Sequence, residues 1–312
     1  MAQFDNFPPQ RPQPLLSKIL VLVGFTLVFM TIGSFIGILF FIYMTGMPFS
    51  QVPKFQEYLG DYPNMYDAVM AMQTFSTPIP FIVASFFYWV FIEKQSIDTL
   101  GFSAPKFSIL ILVALLVVGF MGFDAMIIEW NQKMQLPSSM KSVENWMKES
   151  ENATADLTKF LTNFTSISQL IVALVVVAIL AGISEELLFR GVLQNIVFKA
   201  TRNPHVAIWC AAFMFSFIHF QFYGFIPRML LGGLFGYLYF WTKNLWIPIL
   251  AHIVNNGFTL IMVYLNNMKI VNIDIEDTQS VPLGVALVSL VFTVLLLRWF
   301  WLNRTLQNEA GN

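Results

Sequence analysis

Two of the three histidines in this 312-residue chain, His219 and His252, sit deep in apolar runs. A third unusual run, Gly182-Ile-Ser-Glu-Glu-Leu-Leu-Phe-Arg-Gly191, carries two acids and an arginine in apolar surroundings. Carboxylates and imidazoles are the groups that move protons in catalysis. On a helix Glu186 and Arg190, four residues apart, share a face and pair. Glu185 is rotated about 100° from its neighbour, so Arg190 is not its natural partner. A desolvated Glu185 near two imidazoles is a candidate general base for a water molecule. His252 and Asn256 are also four apart, and two donors aimed at one point suit a developing oxyanion. Asn255 faces another way and fits interhelical hydrogen bonding, which is worth about 0.6 kcal/mol. Each feature has a plainer reading. The three charges of the 182–191 run would form an interfacial cluster if their helix left the membrane there. His219 alone would be a neutral, hydrogen-bonded packing residue. His252 and Asn256 would be polar glue between helices.

The elements that must position these groups follow from composition. The chain is 57% hydrophobic and 11% charged, with mean hydropathy +0.67, against about 25% charged in soluble domains. That excludes a cytosolic enzyme and a disordered tail protein. A net charge of −1 offers no field for nucleic acid. The single Cys210 excludes a disulfide scaffold and a Cys-rich zinc site. An all-α, polytopic transmembrane helical bundle remains. A helix needs about 20 apolar residues to cross the hydrocarbon core. Charge-free runs at 19–53, 68–92, 107–123, 167–184, 203–227, 229–242, 244–268 and 280–297 predict about eight helices. The sixth is short and borrows Phe225–Arg228. The first is too long for a cleavable signal and is read as a retained anchor. A charge near the bilayer centre costs about 2.5–3.5 kcal/mol, so the acids and histidines above are the residues to explain. Asp124 and Glu129, near the outer end of the third span, snorkel to the interface. The 33 phenylalanines are read as lipid-facing and core filler. Ser184 and Ser216 lack the setting of a nucleophilic serine.

Lysines and arginines of short loops set orientation. With the N-terminus inside, nine basic residues (Arg11, Lys18, Lys94, Lys106, Lys199, Arg202, Lys243, Arg298 and Arg304) lie on the cytoplasmic side and three (Lys54, Arg228 and Lys269) lie outside. Both termini are therefore expected in the cytoplasm. The organisation expected is a flexible tail over 1–18, three helices and a long outer loop over 19–166, a four-helix core over 167–268, and a last helix with its tail over 269–312. The outer loop, 131–166, is expected to hold one or two short amphipathic helices, for example around Val143–Met147.

These motifs resemble a known family. Glu185-Glu-Leu-Leu-Phe-Arg190-Gly is similar to the EExxxR(G) signature of the CPBP family, the CAAX prenyl proteases and bacteriocin-processing proteins also called the Abi family of intramembrane proteases. Phe215-Ser-Phe-Ile-His219 is similar to its FxxxH motif, and His252-Ile-Val-Asn-Asn256 to its HxxxN motif. All three occur in family order over about 167–265. The resemblance implies an intramembrane endopeptidase acting on membrane-associated or CAAX-type substrates. It assigns Glu185 to water activation, Glu186 and Arg190 to its support, His219 to a second water contact or a metal ligand, and His252 with Asn256 to the oxyanion.

Zinc held by Glu185, His219 and His252 would make a three-ligand catalytic site, and the family is often labelled metalloprotease. If His252 and Asn256 serve the oxyanion, too few ligands remain, so the metal-free, glutamate-dependent version is preferred. The expected partners are the lipid bilayer and a membrane-bound peptide or protein, and no nucleic acid. The rival readings are a non-catalytic membrane scaffold or immunity protein, and a proton-coupled transporter. On straight helices His219 falls toward the outer end of the fifth span and His252 toward the inner part of the seventh. Convergence therefore requires the fourth helix to tilt or the fifth to extend past Gln221.

Overall fold

The structure is a computed structural model that describes residues 14–271 and 281–303. The expected tails before Pro14 and after Asn303 lie outside the described residues. No strand occurs among those described. Nine helices carry the described chain: α1 (Leu15–Thr45), α2 (Met65–Ile92), α3 (Phe107–Gln132), α4 (Lys141–Thr162), α5 (Ile167–Thr201), α6 (Pro204–Phe217), α7 (Phe225–Thr242), α8 (Trp246–Asn267) and α9 (Leu283–Leu302). All but α4 correspond to the eight expected spans. Six (α1, α2, α3, α5, α8 and α9) are long and apolar enough to cross a membrane alone. This is an integral, multi-pass membrane protein.

Helix α5 occupies the middle of the bundle and touches α2, α6, α7 and α8. Helices α1 and α9 pack on the outside, α1 against α2 and α9 against α3. Their outer faces expose Leu27, Phe35, Val288 and Leu295, as lipid-facing helices do, because hydrocarbon replaces water as the apolar solvent. Helix α2 is bent at Thr77-Pro78, where proline has no N–H to continue the ladder.

The fourth helix runs unbroken past its charge-free run to Thr201, so the acids and Arg190 lie mid-helix. Other expectations are corrected. Glu186 and Arg190 are fully buried, which removes the interfacial-cluster reading. The fifth span is shorter than expected and does not extend past Gln221. Helix α6 ends at Phe217, Phe220 turns the chain through a left-handed φ of 52°, and α7 begins at Phe225 with its proline in the first turn. The outer loop forms one 22-residue helix, α4, rather than a short element around Val143–Met147.

One end of the bundle is tied by charge. Glu93, just past α2, accepts from Lys18 of α1 at 2.6 Å and from Lys199 of α5 at 3.2 Å. Lys199 also lies 4.4 Å over the Trp89 ring. Burial works against the Glu93 charge, but the two lysines outweigh it and hold the carboxyl below its usual range. A carboxyl lowered in the folded state stabilises the fold above its unfolded pKa of about 4.3 and loses that contribution as pH falls through the folded value. Glu93→Gln is therefore expected to melt below wild type at pH 7 in detergent, with the gap narrowing at about pH 3.5. A gap that stays constant with pH would show that the Glu93 charge contributes nothing.

Candidate active site

The winding of α5 changes around the acidic couplet. The helix is α over Ile167–Ala173, widens to π over Leu174–Leu180, returns to α over Ala181–Glu186 and widens again over Leu187–Gln194. Such π segments occur often at functional sites, because they re-aim side chains within a continuous rod. Gly182 lets α8 approach one turn before the couplet. A Cβ there would stand 3.0 Å from Ile253 Cγ1 and 3.5 Å from His252 Cβ.

Glu186 is the hub. Its Oε1 accepts from Arg190 Nη1 at 2.7 Å and from His252 Nδ1 at 2.8 Å. Arg190 Nη2 donates to the Gly232 carbonyl of α7 at 2.9 Å. The guanidinium rests 4.7 Å from the Phe215 ring centre and 5.6 Å from that of Phe235. One buried carboxylate thus ties α5 to α8, and its arginine ties α5 to α7. With Nδ1 committed to Glu186, His252 presents Nε2 to Glu185, 3.8 Å from its Oε2. That gap is too long for a hydrogen bond, and one water can straddle it. The Glu185 side chain is 13% exposed while that of Glu186 is 0%. Among the described residues His252 comes within ion-pair distance of Glu185.

The other two candidates join less directly. His219 lies in the turn after α6, and its Nδ1 donates to the Phe215 carbonyl at 2.7 Å. The Phe215 ring stands edge-on to both imidazoles, 5.2 Å from His219 and 6.0 Å from His252. Asn256 Nδ2 donates to the Val177 carbonyl in the first π segment at 2.8 Å, and its Oδ1 accepts from Asn255 at 3.1 Å. The structure therefore brings Glu185, Glu186, Arg190 and His252 into one contact set. His219 is linked to it through an aromatic ring, and Asn256 sits one turn along α8.

Several readings of single residues change. Phe215 and Phe235 are not filler, since they sandwich the buried arginine and flank His252. Asp124 does not snorkel, because its Oδ1 is buried without a partner among the described residues. Glu129 does sit at the interface, paired with Lys133. Arg228, counted in the sequence only as a loop cation, lies in the first turn of α7 and donates to the Gln221 side chain. Its signal in the sequence was a single charge between two apolar runs beside Pro227. Ser184 and Ser216 spend their hydroxyls on the carbonyls of Ala181 and Phe225.

The donor set does not fit zinc. Among the described residues no three of His, Cys, Asp or Glu gather at ligand spacing.

Residues 167–258 match the family described as type II CAAX prenyl endopeptidase, Rce1-like. Two curated bacterial proteins with informative names match the same way. The "Membrane-embedded CAAX protease MroQ" of Staphylococcus aureus is 33% identical over 96 residues, 29% of this chain and 38% of its own. The "Putative membrane peptidase YdiL" of Bacillus subtilis is 29% identical over 116 residues, 37% of this chain and 44% of its own. Over this stretch the chain is similar to CAAX-type membrane proteases. The same core also matches the "Uncharacterized protein YpbD" of Bacillus subtilis at 33% identity over 85 residues, 26% of this chain and 40% of that protein. The chain spans less than half the length of the curated relatives it matches. No solved structure matches it significantly. The matched stretch takes in all three motifs and α5 through the first half of α8.

Breaking a buried ion pair by removing one partner strands the other charge and costs about 3–5 kcal/mol. Arg190→Met is expected to lower stability by that order. Glu185→Gln, which removes no hydrogen bond, is expected to change it by under about 1 kcal/mol. Thermal unfolding in detergent separates the two, and equal melting temperatures for wild type and Arg190→Met would show that the pair does not hold the core.

Proposed function

We propose that the protein is an intramembrane endopeptidase that hydrolyses membrane-associated peptides by glutamate-activated water. The observation that carries this is the division of the couplet. Glu186 is fully buried, with one oxygen held by both Arg190 and His252, whereas Glu185 is partly open and stands 3.8 Å from an imidazole nitrogen, close enough for one water beside the pair to touch both. A carboxylate so placed has no structural task, and a nearby nitrogen gives the water a second contact. Glu185 takes a proton from the water as its oxygen adds to the peptide carbonyl. The same carboxyl then delivers that proton to the leaving amine as the C–N bond breaks. Glu186 and Arg190 fix the His252 ring so that Nε2 stays aimed at the water. The family match and the relatives named membrane peptidase and CAAX protease support hydrolysis as the reaction. CAAX-type tails are one substrate class within this reading.

The basic residues Lys18, Lys94, Lys106, Lys199, Arg202 and Lys243 stand at one end of the helices, the end expected in the cytoplasm. The turn with His219 and Arg228 is at the other end of α6 and α7. Substrate is therefore taken from the lipid or from the outer side.

Membrane peptides of cells carrying wild type or Glu185→Gln identify the substrate, and purified protein in detergent then tests it directly. The variant is expected to keep wild-type thermal stability and to lose at least about 10³-fold in cleavage rate. A Glu185→Gln protein that cleaves as wild type does would remove glutamate as the base. A stable wild type that changes no membrane peptide would favour a scaffold.

A further inference from the structure

Hydrolysis as proposed above, on which this inference rests, takes place beside two imidazoles that are fixed in the same way. Each gives its Nδ1–H to an acceptor, the Phe215 carbonyl at 2.7 Å for His219 and Glu186 Oε1 at 2.8 Å for His252. Each neutral ring therefore keeps its lone pair on Nε2. The Phe215 ring stands edge-on to both, 5.2 Å from His219 and 6.0 Å from His252. His219 Nε2 has no hydrogen-bond partner among the described residues. The two rings differ in what carries them. His252 lies within the continuous helix α8, whereas His219 lies in the turn between α6 and α7.

That turn does not hold itself. Phe220, next to His219, has a left-handed φ of 52°, which a bulky L residue keeps only where its surroundings impose it. Helix α7 starts beyond the turn with Gly224 at its N-cap and no side-chain cap of its own. The first N–H groups of a helix have no partner within it. Asn131, buried near the end of α3, supplies one from outside. Its Oδ1 accepts from Ile226 N at 2.9 Å, and its Nδ2 donates to the Phe222 carbonyl at 3.3 Å. A carboxamide both donates and accepts, so this one side chain grips the turn at two points. Ser216 ties the Phe225 carbonyl back to α6 at 2.7 Å. Ser150 reaches the Phe220 carbonyl at 3.3 Å from an exposed position. Helix α3 packs on α7, α8 and α9, so Asn131 is anchored to the body of the bundle.

We propose that Asn131 is a positioning residue for the hydrolysis and acts through His219. By gripping Phe222 and Ile226 from α3 it sets the path of the turn, and with it the place of the His219 ring against Phe215. The open Nε2 is thereby held ready for the bound substrate before it arrives. Asn131 itself touches neither the water nor the peptide, and it exchanges no proton. Displacing a catalytic group by a fraction of its bond length to substrate is enough to lose most of its effect.

The test uses full-length protein in detergent and the membrane peptide that wild type cleaves. Asn131→Leu keeps the volume and removes both hydrogen bonds. It is expected to lose about 10²-fold in kcat with KM within about threefold. Asn131→Asp, which keeps the acceptor for Ile226, is expected to recover about tenfold of that loss. In a His219→Gln background Asn131→Leu is expected to cost under about threefold more, since nothing is left for it to position. With isotope-labelled histidine, Asn131→Leu is expected to shift the ring NMR signal that His219→Gln removes and to leave the His205 and His252 signals in place. Should Asn131→Leu not fold, Asn131→Gln takes its place under the same criteria. A kcat within about threefold of wild type, an equal loss with and without His219, or an unmoved His219 signal overturns the assignment. If Glu185→Gln cleaves normally while Asn131→Leu shows the His219-dependent loss, the base is wrong and the positioning role stands. If wild type cleaves no membrane peptide, both readings fall.

Discussion

The structure turns on one carboxylate oxygen, Glu186 Oε1, shared by Arg190 and His252. A charge in this interior is tolerated only when its partners are fixed and close. Here the partners come from two helices, and the arginine is itself held by a backbone carbonyl of a third. Buried ion pairs contribute little net stability compared with well-packed apolar side chains of the same volume. The physical return of this one is direction: it sets which imidazole nitrogen of His252 faces the open acid.

Adjacent acids on a helix cannot do the same thing, because about 100° of rotation separates them. One turns inward to the arginine and the other toward the histidine edge. The π segments before and after the couplet let α5 keep its rod while shifting the angular position of the residues beyond each of them. Asn256 donates into the first of these widened turns. Its role is thus tied to the backbone of α5 opposite the couplet, at the place where regular helical hydrogen bonding is loosest.

Much of this was legible in the sequence, because apolar length and charge spacing are local properties. Eight apolar runs give eight helices, and the four-residue spacing of Glu186 and Arg190 gives their pair. The link from His252 to Glu186, rather than to Glu185, was not legible. It depends on where Gly182 lets α8 come close, which no pattern along one helix reports. The length of α5 was legible only in part, since a charge-free run stops before Glu185 whereas a helix with buried, paired charges continues to Thr201. Phe215 was hidden among many phenylalanines, and only its place between a guanidinium and two imidazoles marks it.

The break between α6 and α7 explains how the site forms although α6 does not reach past Gln221. A continuous apolar helix from Asn203 would have carried His219 and Arg228 to opposite sides of a long rod. Ending α6 at Phe217 instead folds the chain back within a few residues. The left-handed Phe220 and the proline in the first turn of α7 fix that reversal. Both side chains then stand at the same end of the bundle, with α4 lying across the turn through Ser150 on the Phe220 carbonyl and Trp146 on Phe222. The turn leaves backbone groups that lipid could not satisfy, and Ser150 of α4 and Asn131 of α3 supply partners. Irregular backbone between the two helices is tolerated because neighbouring side chains, Ser216 among them, meet its carbonyls.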